Sequence, residues 1–282
     1  MKRLLLLIVM MINFVAFSQT NKGVKDDWDF VIYLINNDMS DEAITLLNNT
    51  ESSNDSINFL RGYTYYNTKD FAKASENFSL LTPNSDLYIE SLFLSSYSNA
   101  ILNNFEQSQL SLNKIVTEDK RLLNLKNFSL SSLSLLRKDK DSFNYYYNQI
   151  DSTDFLISEE VKNLKSIENK INSYKPKSKL IAGGLSAVVP GLGKVYAGYT
   201  REGISSFLIC GSLMAVTAEN WYKKGLTNWK TILFGGLSTV FYIGNIYGSI
   251  VSVKVGYENF NKQTNLQILY NINIPLRNKF KH

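Results

Sequence analysis

The 282-residue chain of 32.1 kDa has room for one or two domains, and its 44% hydrophobic and 20% charged residues are typical of a folded protein. Its net charge of +5 is unevenly divided: 15 basic and 22 acidic residues lie in 19–174, and 13 basic and 3 acidic residues follow from Lys175 onward. This split disfavours a uniformly basic nucleic-acid-binding protein. One cysteine, Cys210, and one histidine, His282, exclude an internal disulfide, a Cys/His zinc site and catalysis by an internal histidine.

Residues 1–18 have the pattern of a secretory signal peptide. Lys2 and Arg3 precede an uncharged apolar stretch that is too short for a membrane span, and Ala16 and Ser18 are the small residues that a signal peptidase accepts. We predict export and cleavage after Ser18. The alternative is an uncleaved N-terminal anchor, although Asn13 weakens the apolar stretch.

Residues 19–174 carry an internal repeat. A small residue followed four positions later by a bulky one recurs in them, and a repeat period near 34 is the signature of arrays of helical hairpins. The clearest pair is Ala74 and Phe78, and the degenerate pairs aligned with it are Ala43 and Leu47, Ser108 and Leu112, and Phe143 and Tyr147, in the last of which a bulky residue replaces the small one. The first members of the four pairs are successively 31, 34 and 35 residues apart. The pattern predicts an all-α solenoid.

The clearest copy of the repeat runs from Phe59 to Pro83. Its predicted packing residues are Gly62 and Tyr65 on the first helix and Phe71, Ala74 and Phe78 on the second. This copy resembles a tetratricopeptide repeat, in which the glycine and alanine let two antiparallel helices approach closely. The resemblance implies a concave surface on which partner peptides or helices lie. Aromatic residues of the array are then either anchors for a partner or packing between helices.

The composition changes at residues 175–179, which we interpret as a linker. Thirteen of the 15 glycines lie between Gly183 and Gly256, among three charge-free stretches: 180–193, 203–218 and 231–253. At ~1.5 Å per residue only the third crosses the ~30 Å hydrocarbon core unaided, and the second crosses if residues 219–222 complete it at the interface. We therefore predict a membrane module over 180–262.

The positive charges favour two spans joined by a short cytoplasmic loop. Such a loop places Lys223, Lys224 and Lys230 inside, with 180–198 re-entrant or lying along the interface, and it leaves the repeats and the tail in the periplasm at the inner membrane. The alternative of three spans puts these lysines and those of the linker outside, against the positive-inside rule.

The glycine-rich turn that begins at Pro190 invites a nucleotide-binding interpretation, but it lacks the glycine spacing, the Gly-Lys-Ser/Thr triplet and the preceding strand that phosphate binding needs. We predict instead a tight turn at the membrane boundary, formed by Pro190, Gly191, Gly193, Tyr196, Gly198 and Gly203. These residues, together with the later segment from Phe241 to Gly248, resemble the proline-glycine-x-glycine-x-x-tyrosine-x-glycine hairpin of modules with two transmembrane helices. Such modules occur in uncharacterised bacterial envelope proteins, and the whole arrangement is similar to envelope proteins of the Bacteroidetes type. The resemblance implies location and fold but no active site.

Three residues of the last apolar stretch are predicted to pack helices together. Gly244 and Gly248 place two small residues on one face, and Asn245 between them seeks an interhelical hydrogen bond. The partner is either the other span or a second subunit.

The tail, residues 263–282, is predicted to be extended. Apolar residues occupy every second position from Leu266 to Leu276, a period that is typical of a short β-strand. A lone strand has no hydrogen-bonding partner, so it would add to a sheet of another protein by β-augmentation, settle against the repeats, or form a poorly ordered terminus.

We therefore predict a protein that is not an enzyme and needs no cofactor or metal: a membrane-anchored periplasmic scaffold or adaptor that binds envelope proteins through its repeats. The alternative is a transport or lipid-handling component that acts through its transmembrane helices. That alternative requires an ionisable residue within the membrane, and 203–218 and 231–253 contain none.

Overall fold

A computed structural model describes residues 24–50 and 54–282, so the predicted signal peptide lies outside the described residues. The described residues form thirteen α-helices and no strand, which confirms the all-α class. They divide into two compact units. Unit 1 contains the described residues up to Lys165 together with Ile268–His282, and unit 2 contains Ser166–Gln267.

Helices α1 to α9 follow one another through the first part of the chain. Their bounds are Val24–Asn36, Ser40–Asn48, Asp55–Asn67, Phe71–Phe78, Tyr88–Ile101, Phe105–Asn113, Lys120–Leu136, Lys140–Tyr147 and Ser158–Ser173. The remaining helices, α10 to α13, are Lys179–Val188, Leu192–Ala197, Thr200–Lys224 and Trp229–Lys279. The last of these has 51 residues and contributes to both units.

The same backbone turn joins α1 to α2, α3 to α4, α5 to α6 and α7 to α8. In each turn one residue other than glycine adopts a left-handed conformation with φ between 60° and 64°: Asp38, Lys69, Asn103 and Lys138. The next N–H donates to the carbonyl oxygen five residues earlier, as Asp70 does to Tyr65 at 2.9 Å. This is the bond that closes a helix end in a Schellman motif. The turns are 31, 34 and 35 residues apart, so four helical hairpins repeat at the intervals of the sequence pattern.

The left-handed residue supplies a stability test. A side chain in this conformation costs about 1–2 kcal/mol, part of which glycine recovers. We expect Lys69→Gly to raise the free energy of unfolding by about 0.5–1 kcal/mol, measured by chemical denaturation of the detergent-solubilised protein. The matched control Ala72→Gly, at an exposed position inside α4, should lower it by about 1 kcal/mol. Equal losses from both changes would contradict the turn geometry.

Close packing within the α3–α4 hairpin involves the residues that the repeat pattern singled out. A Cβ atom on Gly62 would lie 2.7 Å from the Phe78 ring, and Ala74 and Phe78 are fully buried. Tyr65 and Phe71 are half-buried at the edge of the pair. A methyl group at position 62 would overlap the Phe78 ring. Gly62 therefore allows the two helices of the hairpin to pack closely.

The strand predicted over Leu266 to Leu276 is wrong, because this segment is the last part of α13. Ile268, Ile272 and Leu276 are buried in unit 1, whereas Leu266 and Tyr270 are 56% and 68% exposed. A run with apolar residues at every second position also contains apolar residues four positions apart. Residues four positions apart lie on the same face of a helix, so the pattern is compatible with a helix as well as with a strand. The contacts within unit 1 select the helical alternative, and the segment offers no strand for β-augmentation.

Candidate functional site

Burial in unit 2 is the reverse of that in a water-soluble domain. Its buried residues are mainly small or polar, and along α13 they include Thr231, Ser238, Asn245 and Ser249. The exposed residues of the same helix include Ile232, Val240, Ile243 and Tyr247. Exposed apolar residues around a polar interior are typical of a surface that faces lipid or another protein.

Helix α13 is the one described helix that is long and apolar enough to cross a membrane. Only 22% of its most apolar window is buried within the chain, whereas a core helix of a soluble protein would be mostly buried. Helix α12, in which the other span was predicted, has 25 residues but does not pass the same test of length and composition. The described residues thus form an all-α fold in which one helix is both long and apolar enough to span a membrane.

Three glycines of the predicted turn bring backbone segments into direct contact. A Cβ atom on Gly191 would lie 2.0 Å from the carbonyl oxygen of Gly203, and one on Gly193 would lie 1.9 Å from that of Ala182. Gly191 is also left-handed, with φ of 86°. No other residue type fits these positions unless the backbone moves, so α10, α11 and α12 cross here only because the side chains are absent.

A chain of hydrogen bonds joins this turn to α13. The Gly191 N–H donates to Asn245 Oδ1 at 3.1 Å, and the Gly193 N–H donates to Ser186 Oγ at 2.9 Å. Ser186 Oγ and Ser249 Oγ lie 2.7 Å apart, and Ser249 Oγ donates to the Asn245 carbonyl oxygen. Since the Ser249 proton is used in that bond, Ser186 must donate to Ser249. Sequence reasoning selected Asn245 and the glycines but missed both serines.

The other predicted turn residues hold the linker and end the helices. Lys177 Nζ donates to the Tyr196 carbonyl oxygen at 2.5 Å, and the Ser178 N–H donates to the Tyr196 hydroxyl at 3.2 Å. Gly198 ends α11 in a left-handed conformation with φ of 101°, and Pro190 follows the end of α10. Tyr196 therefore ties the linker to α11.

The residues predicted for helix packing on α13 have three different environments. Asn245 is buried against the turn, as described above. No heavy atom lies within 4 Å of a Cβ atom placed on Gly244, so this glycine makes no close contact within the described chain. A Cβ atom on Gly248 would lie 3.3 Å from Cε of Lys194, a residue that sequence reasoning did not select.

Lys194 lies beside a cavity between α12 and α13. Its Nζ atom donates to Ser206 Oγ at 2.8 Å. The cavity has a volume of about 400 Å³ and is lined by Lys194, Ser206, Ile209, Cys210, Val240, Phe241, Gly244 and Asn245. Lys194 belongs to the short helix α11, which lies outside the two stretches, 203–218 and 231–253, that were considered for ionisable residues. A count of charges along α11, whose neighbours are apolar, would have found this lysine.

In unit 1 the end of α13 packs against the first helices of the hairpins. Asn273 Nδ2 donates to the Tyr66 hydroxyl at 2.7 Å, and the Phe280 ring lies 5.6 Å from that of Phe93. Asn271 Nδ2 donates to the carbonyl oxygen of Glu160 at 2.6 Å. Burial raises the pKa of Tyr97 in this contact to about 12. This surface of the repeats is thus covered by a helix of the same chain.

The C-terminal histidine enters an aromatic cage. The His282 ring lies edge-on to the rings of Trp28, Phe59 and Tyr63 at 5.3–5.6 Å, and its Nε2 atom is 2.7 Å from Glu90 Oε1. Burial raises the pKa of the Glu90 carboxyl, and the hydrogen bond to His282 opposes that rise. The only histidine therefore serves to hold the chain terminus on unit 1.

No protein-family model, curated protein or solved structure matches the chain. Within the described part of the chain, no group of three or more His, Cys, Asp or Glu residues is placed to hold a metal ion.

Proposed function

We propose that the protein is a membrane-anchored periplasmic scaffold or adaptor: a tetratricopeptide-like solenoid that binds envelope proteins, held at the inner membrane by the glycine-rich module. One observation supports the membrane anchor: in unit 2 hydroxyl and amide groups are buried, and large apolar side chains are exposed. Such an exterior is unfavourable in water and favourable in a hydrocarbon environment. In that interior, hydrogen bonds connect Ser186, Ser249 and Asn245 with the glycine turn.

The repeated hairpin and its identical turns support the solenoid. The surface that the first helices provide already accepts one amphipathic helix, residues 268–279 of this chain, with buried residues at four-residue spacing. A partner helix of the same pattern would use the same surface after displacing that segment. Exposed apolar residues elsewhere in unit 1, such as Phe155 at 98% exposure, provide further contact points.

The anchor is tested by fractionation. A chain cut at Tyr174 is unsuitable, because it also loses Ile268–His282, which belong to unit 1. We instead replace residues 175–262 with a flexible linker. The full-length protein should stay with membranes after alkaline carbonate washing, and the variant should be soluble in the periplasm. Release of the full-length protein by carbonate would refute the anchor.

The adaptor function is tested by photo-crosslinking in intact cells. A photoreactive residue at Phe155 or Tyr145, both exposed in unit 1, should form discrete protein adducts that mass spectrometry identifies as envelope proteins. The same residue at the exposed Leu180 of unit 2 is the control and should give lipid adducts. Absence of protein adducts at both unit 1 positions would count against the adaptor.

The second candidate, a lipid-handling component, is favoured by one observation. Lys194 supplies the ionisable group that the apolar stretches lack, and it lies beside a cavity lined by residues of both α12 and α13. An ionisable group among membrane helices marks a functional site by default.

A further inference from the structure

The cavity beside Lys194 presents hydrogen-bond donors. Asn245 Oδ1 is occupied by the Gly191 N–H, but Asn245 Nδ2 is buried and has no hydrogen-bond partner. Asn245 is among the residues that line the cavity, but its Nδ2 atom is covered by the surrounding protein, and the residue is only 5% exposed. A buried amide N–H₂ without a partner is costly, and such a group in a native structure calls for an explanation.

The positive charge of the cavity favours a ligand with a negatively charged group. Lys194 brings an ammonium group, and its one hydrogen-bond acceptor, Ser206 Oγ, keeps a hydroxyl proton that is free to donate. No Asp or Glu is among the lining residues. A group of donors with one positive charge and no carboxylate is complementary to a carboxylate or phosphate oxygen.

The apolar residues that line the cavity favour an amphiphilic ligand. Ile209, Val240 and Phe241 line the cavity and are also exposed on the apolar exterior of unit 2. A ligand whose acidic group reaches Lys194 therefore extends its other end along an apolar surface. The volume of about 400 Å³ is within the usual range for sites that bind small molecules.

We infer that this cavity binds the headgroup of an acidic lipid, with the acidic oxygens at Lys194 and Ser206 and the acyl chains against the exterior of α12 and α13. This inference depends on the proposed membrane anchor. An ammonium group beside a hydroxyl donor offers charge-assisted hydrogen bonds to the oxygens of an acidic headgroup. Gly248 contributes space, because its missing side chain leaves room for the Lys194 stem.

The test measures lipid binding by the detergent-solubilised full-length chain with native mass spectrometry. Dioleoyl phosphatidylglycerol should bind about tenfold more tightly than dioleoyl phosphatidylcholine, since a charge-assisted hydrogen bond contributes roughly that factor. Lys194→Met should abolish the preference. The matched control Lys262→Met removes the same charge from an exposed position of unit 2 outside the cavity and should keep it. Inorganic phosphate should not displace the lipid.

A second variant separates binding from folding. Ser206→Ala removes the hydroxyl beside Lys194 at a partly exposed position of α12 and buries no charge. It should reduce the phosphatidylglycerol preference while the thermal unfolding temperature remains within a few degrees of the parent. Loss of preference only when the protein also unfolds would overturn the inference.

Three further outcomes would overturn it: equal binding of the two lipids, equal effects of Lys194→Met and Lys262→Met, or displacement by inorganic phosphate. The anchor is assessed separately by carbonate washing. A chain that stays in washed membranes without preferring phosphatidylglycerol refutes only the lipid site, whereas a chain that washes out refutes the anchor and the site together.

Discussion

Gly193→Ala is expected to disrupt unit 2, and Gly184→Ala, on the preceding helix, is expected to leave it intact. The new methyl group at Gly193 would lie 1.9 Å from the Ala182 carbonyl oxygen and 2.6 Å from Ser186 Oγ. Because a backbone atom is in the way, no rotamer change relieves the clash, and the hydrogen bond from Gly193 to Ser186 is lost with it. We expect a loss of about 3 kcal/mol or more in the free energy of unfolding.

Gly184 is the matched control because it is also helical, but a methyl group added to it would have no atom within 4 Å. Alanine there should stabilise the helix by about 0.5–1 kcal/mol. Thermal unfolding of both variants in the same detergent, together with limited proteolysis, measures the difference. If Gly193→Ala were tolerated as well as Gly184→Ala, the close crossing at the glycine turn would be incorrect.

The second large effect is expected at the end of α13. Ile268→Asp places a carboxylate at a fully buried position of unit 1, whereas Leu266→Asp, two residues earlier, places one at an exposed position. We expect the first change to lower the free energy of unfolding by about 3–5 kcal/mol and the second to change it by less than about 0.5 kcal/mol.

This pair of variants distinguishes the helix from the strand. In a strand, Leu266 and Ile268 would share one face, and the two aspartates would have similar effects. In the helix they are two positions apart and face different surroundings. Protease sensitivity of the C-terminal segment, followed by mass spectrometry, reports its release from unit 1. Similar release in both variants would contradict the docked helix.

Local patterns in the sequence predicted much of the fold. The recurrence of small and bulky residues indicated hairpins, because helices approach closely only where side chains are small, as at Gly62 and Ala74. The glycines of the turn were selected because they permit a tight backbone turn, and the structure places Gly191 and Gly193 at backbone contacts. Each of these inferences depends on one residue and its immediate neighbours in the chain.

Features that depend on distant residues were missed. Ser186 and Ser249 are 63 positions apart, and neither has a local pattern that indicates a hydrogen bond. The alternation from Leu266 to Leu276 is compatible with both a strand and a helix, and only its contacts with unit 1 decide between them. Lys194 was not predicted as a site residue, because its surroundings come from α12 and α13 rather than from α11.

The amino-acid sequence alone determined the helical class, the boundary in composition near Lys175 and the positions where only glycine fits, since these follow from periodicity, charge and backbone sterics. Tertiary structure alone decided that the C-terminal segment is a helix that covers the first helices of the repeats. It also decided that Lys194 and Asn245 line the same cavity. The reason is that burial and hydrogen bonding depend on which segments meet in space, and residues such as Lys194 and Asn245 are brought together only by the packing of helices that are far apart in the chain.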